Sequence, residues 1–588
     1  MSEAPPFPID PPAGVVKTES DRVIEGRFSH TDKIRFESGR AQKIGGWAKQ
    51  STETTLGVPR TMHAWRDLDS KEYLSAATAK RLYVYDVDFV QHNITPLDTT
   101  GSLTDPFTTV DGSNRVSVAH TAHGRSVGDV VIYPTGSDPV GGLTIDGMYV
   151  IVERTSANVY VIEAASAATS DDTGGGTVAY QYEVGSATEH GALGFGYGVG
   201  PYGALTYGTP RLESTITIEA RIWSLDHWGQ NLLASFNGGT LYQWEPSSSF
   251  DRAEAVNNAP TDIRHVYVIP ERYVIALCDD LTIKWCSQND LETWTAALSN
   301  TAGERKVTIG TKLIGGRAVG PGISLIWTDS ACYIHQWRSD ALVFNTRLAG
   351  DACGLISPSA SISANGIAYW MGHDSFWLYN GAVQELPNVD SIKRYVFDAL
   401  RREYAFECCA IFNARFNEIW FFYVANAQQE PGLYVIYHID QKCYSVGTLT
   451  RTAATYFTHG DTRPYMASDD GHIYLHEETN DADGAAMEAS ITLAPYALEN
   501  GGKIIEIQGL EPDFHEQAGD LTVTLTGHDR LRNAAIDTQT KVIPDTESYT
   551  DYRVAGRYVG MTIVSNSLGG FFRMGKPTVE TQPNGERR

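Results

Sequence analysis

The chain has 588 residues, 42% of them hydrophobic and 20% charged, so it is long enough for two to four domains and too apolar to be disordered. Its formal charge of −25 argues against a sequence-independent nucleic-acid binder, which needs a basic surface to neutralise phosphates. With 55 Gly, 30 Tyr and 12 Trp against 8 Met, the composition favours short strands joined by tight turns, an all-β chain.

Residues 1–50 read as an extended N-terminal segment with strands. The opening MSEAPPFPIDPPAGVV has no basic stretch followed by an apolar one, so no secretory leader is expected. No window of ~18 apolar residues predicts a membrane span. Arg35, Arg40 and Lys43 cluster here beside Phe36 and Trp47, as a solvated turn or as a contact for an acidic partner.

From residue 51 one unit recurs: an apolar strand, a polar or Gly turn, then a strand carrying aromatics. It starts at Tyr73, Leu232, Tyr273, Ile323, Ile367, Ile419 and Tyr465. After Leu232 the starts lie 41, 50, 44, 52 and 46 residues apart, and the first gap of 159 falls to 54 once residues 105–209 are set aside as inserted. Hairpins at this period predict a β-propeller over 51–104 and 210–480, because blades packed round an axis bury both faces of sheets that are marginal alone. Seven hairpins are compatible with six, seven or eight blades.

The insertion at 105–184 alternates at Val116–Val118 and Tyr149–Val152 and carries VYVIE at 159–163, which predicts a small β-barrel or sandwich. Residues 185–209 mix Gly with Phe195, Tyr197, Tyr202 and Tyr207 without apolar period, which predicts a loop pinned by rings. It is either a packed connection or a channel gate. Trp223, Trp228 and Trp244 follow, as blade core or as an interface anchor. The one helix expected is Ser391–Tyr404, with Ile392, Tyr395, Val396 and Leu400 on one face. Residues 485–588 show a new strand pattern that predicts a C-terminal β-sandwich-like domain.

Chemistry-bearing motifs are sparse. Cys278, Cys286, Cys332, Cys353, Cys408, Cys409 and Cys443 are odd in number and unpaired in spacing, which disfavours a zinc site or a disulfide framework. His120 and His123 are spaced like two metal ligands, but a turn with backbone-bonded imidazoles is the simpler reading. DDTGGG at 171–176 lacks a calcium loop's spacing and reads as a hairpin turn; GFGYGVG follows no strand–helix context. No cofactor is expected. Asp279, Asp280, Asp329, Asp374, Asp469 and Asp470 fall in the repeated turns, where Asp serves turn geometry; a glycan-cleaving propeller would instead converge carboxylates at its axis.

Three stretches together resemble the tail nozzle (tail tubular protein B-like) proteins of short-tailed bacteriophages: KIRFESGRAQKIGGWAK at 33–49, AHTAHGRSVGDVVIY at 119–133, and the Gly/aromatic loop with ARIWSLDHWGQNLLASFNGGTLYQWEP at 220–246. The closing RMGKPTVETQPNGERR is also phage-like. The resemblance implies a non-enzymatic virion protein made in the bacterial host cytoplasm and assembled as a hexameric ring. It further implies contacts with a tail adaptor and with fibres or spikes, and viral DNA passing without sequence-specific binding or membrane insertion. A glycan-binding or glycan-cleaving virion propeller is the rival class. An acidic lining would keep phosphates off a conduit wall, with Asp279, Asp280, Asp469 and Asp470 as candidate lining residues.

Overall fold

A computed structural model describes residues 6–185, 189–190, 192–195, 215–247, 249–340, 342–425 and 427–583. The chain is all-β, and its repeat is that of a β-propeller: among the described residues, seven four-stranded antiparallel sheets follow in chain order. It divides into two compact units, Glu53–Lys306 and a second made of Met1–Thr52 with Val307–Arg588.

Three blades lie in the first unit. Their strands are Pro59–Arg66, Glu72–Thr78, Leu82–Tyr85 and Gln91–Asn93; Trp223–Trp228, Asn231–Phe236, Tyr242–Trp244 and Glu254–Ala255; and Ile263–Ile269, Tyr273–Cys278, Thr282–Trp285 and Gly303–Lys306. The first strands of the three blades pack side by side. Their exposed edges are capped by neighbours: Val266 N–H donates to Ser224 Oγ at 2.9 Å and Val268 N–H to Asp226 Oδ2 at 2.7 Å. Between the first and second blades Trp65, Tyr73, Trp223, Phe236 and Trp244 fill the wedge. Burying one large apolar side chain is worth ~1.5–3 kcal/mol, so the repeated rings hold the blades together.

Four blades lie in the second unit, beginning at Leu313, Ser361, Cys409 and Ala453. The last draws only three strands from its own stretch; its fourth is Trp47–Lys49, paired antiparallel with Ile473–His476. All seven hairpins of the repeat are the second and third strands of their blades. The first and fourth strands lie outside that unit, and fourth strands such as Glu254–Ala255 and Gly303–Lys306 are short and polar.

Other expectations need correction. The inserted module starts at Leu97 rather than 105: Leu97–Thr104 pairs with Thr177–Glu183. Its two sheets close on Phe107, Val116, Tyr133, Tyr160, Ile162 and Tyr182. Leu97–Thr104 is largely exposed, so it carries little apolar alternation to announce it. Within DDTGGG, Asp172–Gly174 is a short edge strand on Phe107–Thr109, not only a turn. The Gly/aromatic stretch contains a strand, Ala192–Phe195, paired with Thr215–Ile218.

The N-terminal segment is not separate from the C-terminal domain. Phe7–Pro8, Phe28–Asp32, Ile34–Glu37 and Arg40–Lys43 add to its sheets, and Ile9, Phe28, Ile34 and Phe36 share a core with Ile491, Leu521, Tyr552 and Phe572. The expected helix shrinks to Lys393–Phe397, flanked by 3-10 turns at Val389–Ser391 and Arg402–Glu407. Its N-cap is Ile392, which has no side-chain oxygen to satisfy the free N–H groups, and so short a helix barely repays its nucleation.

Candidate functional site

The most concentrated buried chemistry lies on the first resemblance stretch. Ile34–Glu37 and Arg40–Lys43 form a hairpin through Ser38 and Gly39, both at positive φ, and this register places Arg35 opposite Gln42. The side chain of Arg35 is 1% exposed. Its Nε donates to Glu418 Oε1 at 2.9 Å and its Nη2 to Glu418 Oε2 at 3.2 Å. Nη1 donates to Glu477 Oε2 at 3.0 Å, and Nη2 pairs with Glu477 Oε1. The guanidinium lies 3.5 Å from the centroid of the Phe416 ring. Burial alone would lower the Arg35 pKa, but attraction from Glu418 and Glu477 outweighs it and holds the pKa above its ordinary value.

The carboxylates have further donors. Glu418 accepts from Trp420 Nε1 at 3.0 Å and meets His438 Nδ1 at 3.3 Å. Burial pushes its pKa up, yet Arg35 and then His438 prevail and hold it below the usual carboxylate range. Glu477 accepts from Gly45 N–H at 3.1 Å and from Asn413 Nδ2 at 3.2 Å. Both glycines of KIGGW are required by close approach: a Cβ on Gly45 would sit 2.3 Å from Glu477 Oε2, and one on Gly46 2.0 Å from the Asp481 carbonyl. Trp47 then stacks on His476, whose Nε2 accepts from Arg451 Nε at 2.9 Å. Burial and the adjacent Arg451 hold His476 neutral, far below its usual pKa.

Thus Arg35, expected at a solvated turn or an interface, is an interior residue whose acidic partners belong to its own chain. Arg40 is half-buried, donating to Asp10 at 2.7 Å and to the Gly575 carbonyl at 3.2 Å. Lys43 is buried, its ammonium bonds to no described residue, and burial lowers its pKa to about 8. It lines a cleft of about 620 Å³ with Arg415, Phe416, Glu516 and Arg573.

Trp223, offered as an interface anchor, is core: it is 2% exposed and its indole donates to the Thr78 carbonyl at 2.9 Å. Trp228 is half-buried beneath the Arg272 guanidinium, 5.0 Å from its ring. His123 accepts from Arg125 N–H at Nδ1 (3.0 Å), which leaves Nε2 to donate to the Ser156 carbonyl (3.1 Å), so both nitrogens serve the backbone. Phe195 ends the strand Ala192–Phe195; Tyr197, Tyr202 and Tyr207 lie outside the described residues.

The acidic lining candidates do not stand on the first strands of their blades. All four occupy turns between second and third strands, where Asp suits the turn. Asp279 pairs with Arg264 at 3.0 Å and Asp280 with Lys306 at 3.1 Å. Asp470 accepts from Tyr474 Oη at 2.6 Å and Asp469 from Ser468 Oγ at 2.9 Å.

The sequence reading missed Glu418 and Glu477. The available signal was an acid opening the apolar run EIWFFY and another closing IYLHEE, each beside strands with no solvent face.

No family model matches the chain, and no curated protein matches it. Among solved structures it is similar to the computationally designed Ika8 protein, with 12% identity and a TM-score of 0.33 over 73% of this chain and 99% of that one. It is also similar to BamB from Moraxella catarrhalis, with 13% identity and a TM-score of 0.26 over 43% of this chain and 81% of that one. Neither likeness is strong enough to bear on function; the fold rests on the strand pairing.

Proposed function

We propose that the protein is a structural subunit of the tail of a short-tailed bacteriophage, the nozzle-type component through which the genome leaves the virion. It works as a ring, with six copies as the resemblance implies, docked to a tail adaptor and to fibres or spikes, and passes DNA without sequence-specific binding.

The observation that carries this reading is the role of the residues in the resemblance stretches. Arg35, Gly45, Gly46 and Trp47 fasten the N-terminal hairpin to the last blades; Trp223 and Trp244 fill a blade wedge; His123 braces a module turn. These are fasteners, the chemistry expected of a chain selected to keep its shape in an assembly. The acidic charge supports passage of DNA through weak contact, since a basic wall would hold phosphates by releasing counterions. The turn carboxylates contribute little to that effect, because Asp279 and Asp280 are matched by cations of their own blade.

Negative-stain images of the purified chain, alone and with the tail complex, test the proposal. A closed ring at the distal end of the tail is expected. A monodisperse monomer that turns over host surface polysaccharide would replace it with the glycan-cleaving alternative.

A further inference from the structure

We propose that His63, Asp226 and His227 form a binding site for a divalent transition-metal ion of the zinc class, which staples the first blade to the second. His63 lies on the first strand of the first blade, Pro59–Arg66, and Asp226 and His227 on the first strand of the second, Trp223–Trp228. His63 Nε2 is 3.0 Å from His227 Nδ1 and 4.0 Å from Asp226 Oδ1, and His227 Nδ1 is 3.5 Å from the same oxygen. Ligand atoms held 2.0–2.1 Å from a tetrahedral zinc ion lie about 3.3–3.4 Å apart, so movements of about half an ångström complete the triangle.

The donors are already aimed. Asp226 Oδ2 accepts from Val268 N–H at 2.7 Å and Oδ1 from His227 N–H at 2.8 Å, which fixes the carboxylate. The His63 ring stacks on Trp65 at 5.9 Å and on His227 at 5.2 Å, which fixes the imidazole planes. Such outer contacts are what tune a metal site. Without metal, one imidazole donates to the other across 3.0 Å; coordination needs a lone pair on both nitrogens, so that proton shifts to the far nitrogen of its ring. Two imidazoles and one carboxylate suit zinc, cobalt or nickel over magnesium or calcium. His227 is 47% exposed at its side chain, so the ion has access.

The location gives the staple a purpose. His63 and His227 are 164 residues apart, and the inserted module lies between them, so the joint between these two blades has the longest connection in the repeat. A link that closes a long loop removes more freedom from the opened state than one that closes a short loop.

The test uses the full chain, stripped with chelator and titrated with Zn²⁺ by calorimetry and with Co²⁺ by visible absorption. One ion per chain is expected. His63→Ala or His227→Ala should weaken it at least about 100-fold, since loss of even an outer-shell partner costs 10–100-fold. His120→Ala with His123→Ala should leave it unchanged. Zn²⁺ should also slow amide exchange in peptides covering 59–66 and 223–228 of the unaltered chain, a readout independent of variant folding. Absence of saturable Zn²⁺ uptake, uptake untouched by His63→Ala, or exchange in those peptides unmoved by Zn²⁺ would each overturn the proposal.

Discussion

Replacing Arg35 by Ala removes the cation that bonds both buried carboxylates, Glu418 and Glu477. Breaking a buried ion pair from one side costs ~3–5 kcal/mol, because the partner is left charged and dry. Here the lower end is expected, near 3 kcal/mol, because Glu477 keeps Gly45 N–H and Asn413, and Glu418 keeps Trp420 and His438. At 1.4 kcal/mol per factor of ten, that is an increase of about 150-fold in local opening. A single melting temperature is a poor measure in a chain with several folding units. Amide exchange read by peptide mass is better: segments 33–49, 410–422 and 473–477 should lose protection, while the inserted module should not. Arg35→Lys should fall between, since an ammonium cannot hold two carboxylates in forked geometry. The pH sign follows from Glu418, whose folded pKa is depressed. Its stabilisation is present above the unfolded carboxyl pKa and is lost as pH falls through the lower folded value. Less than tenfold change in those segments, or equal change in the module, would refute the assignment of Arg35 as the fastener.

Three further outcomes follow from the same geometry. His335, stacked on Phe344 with its Nδ1 2.8 Å from Thr346 Oγ1, is pushed by burial to a pKa of about 3; stability should hold above the unfolded pKa near 6.5 and decline as pH falls from there toward 3, and His335→Gln should flatten that decline in urea titrations at pH 7, 5 and 4. Excising 98–182 and bridging with a short Gly linker should leave the blades cooperatively folded, because Val184 N–H already donates to the Pro96 carbonyl at 2.9 Å, and an excised chain that unfolds without cooperativity would show the module to be integral; in the full chain, Glu183→Ala should cost ~3 kcal/mol by leaving Arg81 buried without its carboxylate, read by urea titration. Asp67→Asn and Asp340→Asn should leave protection of their turns unchanged while Asp67→Ala and Asp340→Ala reduce it, measured by amide exchange at Asp69, Lys71 and Leu342.

What could be read in advance was what has period. The second and third strands of every blade carry apolar and aromatic residues because both faces are covered, as in EIWFFY and YVIALC, and their spacing located all seven sheets. The fourth strand of the last blade could not be placed this way. Trp47–Lys49 is three residues long, and its partner lies more than 400 residues away. The same distance hid the clasp: the acids that hold Arg35, Glu418 and Glu477, lie 383 and 442 residues further along the chain. The metal triangle was hidden differently. His63 lies on a strand with no repeat signature, so its approach to His227 depends on how two blades pack, which no local pattern encodes.

The acidic surplus has a local cause that the fold makes visible. Asp67, Asp86, Asp290, Asp340, Asp461 and Asp470 each accept a backbone N–H two residues further along, the contact by which Asp closes a turn. A chain built almost wholly of short strands needs many such turns, and each one satisfied by Asp adds a negative charge. The first strands of the blades carry the opposite bias: Arg60, Arg66, Arg264 and Arg317 with His63, His227 and His265, against Asp226 alone. Turn geometry is therefore one source of the net charge of −25. Repulsion from those tips acts within a screening length of ~8 Å. On the proposed reading of a ring around DNA, the repulsion would depend on which hairpin tips turn inward and on how many of their carboxylates lack a cation such as Arg264 or Lys306 beside them.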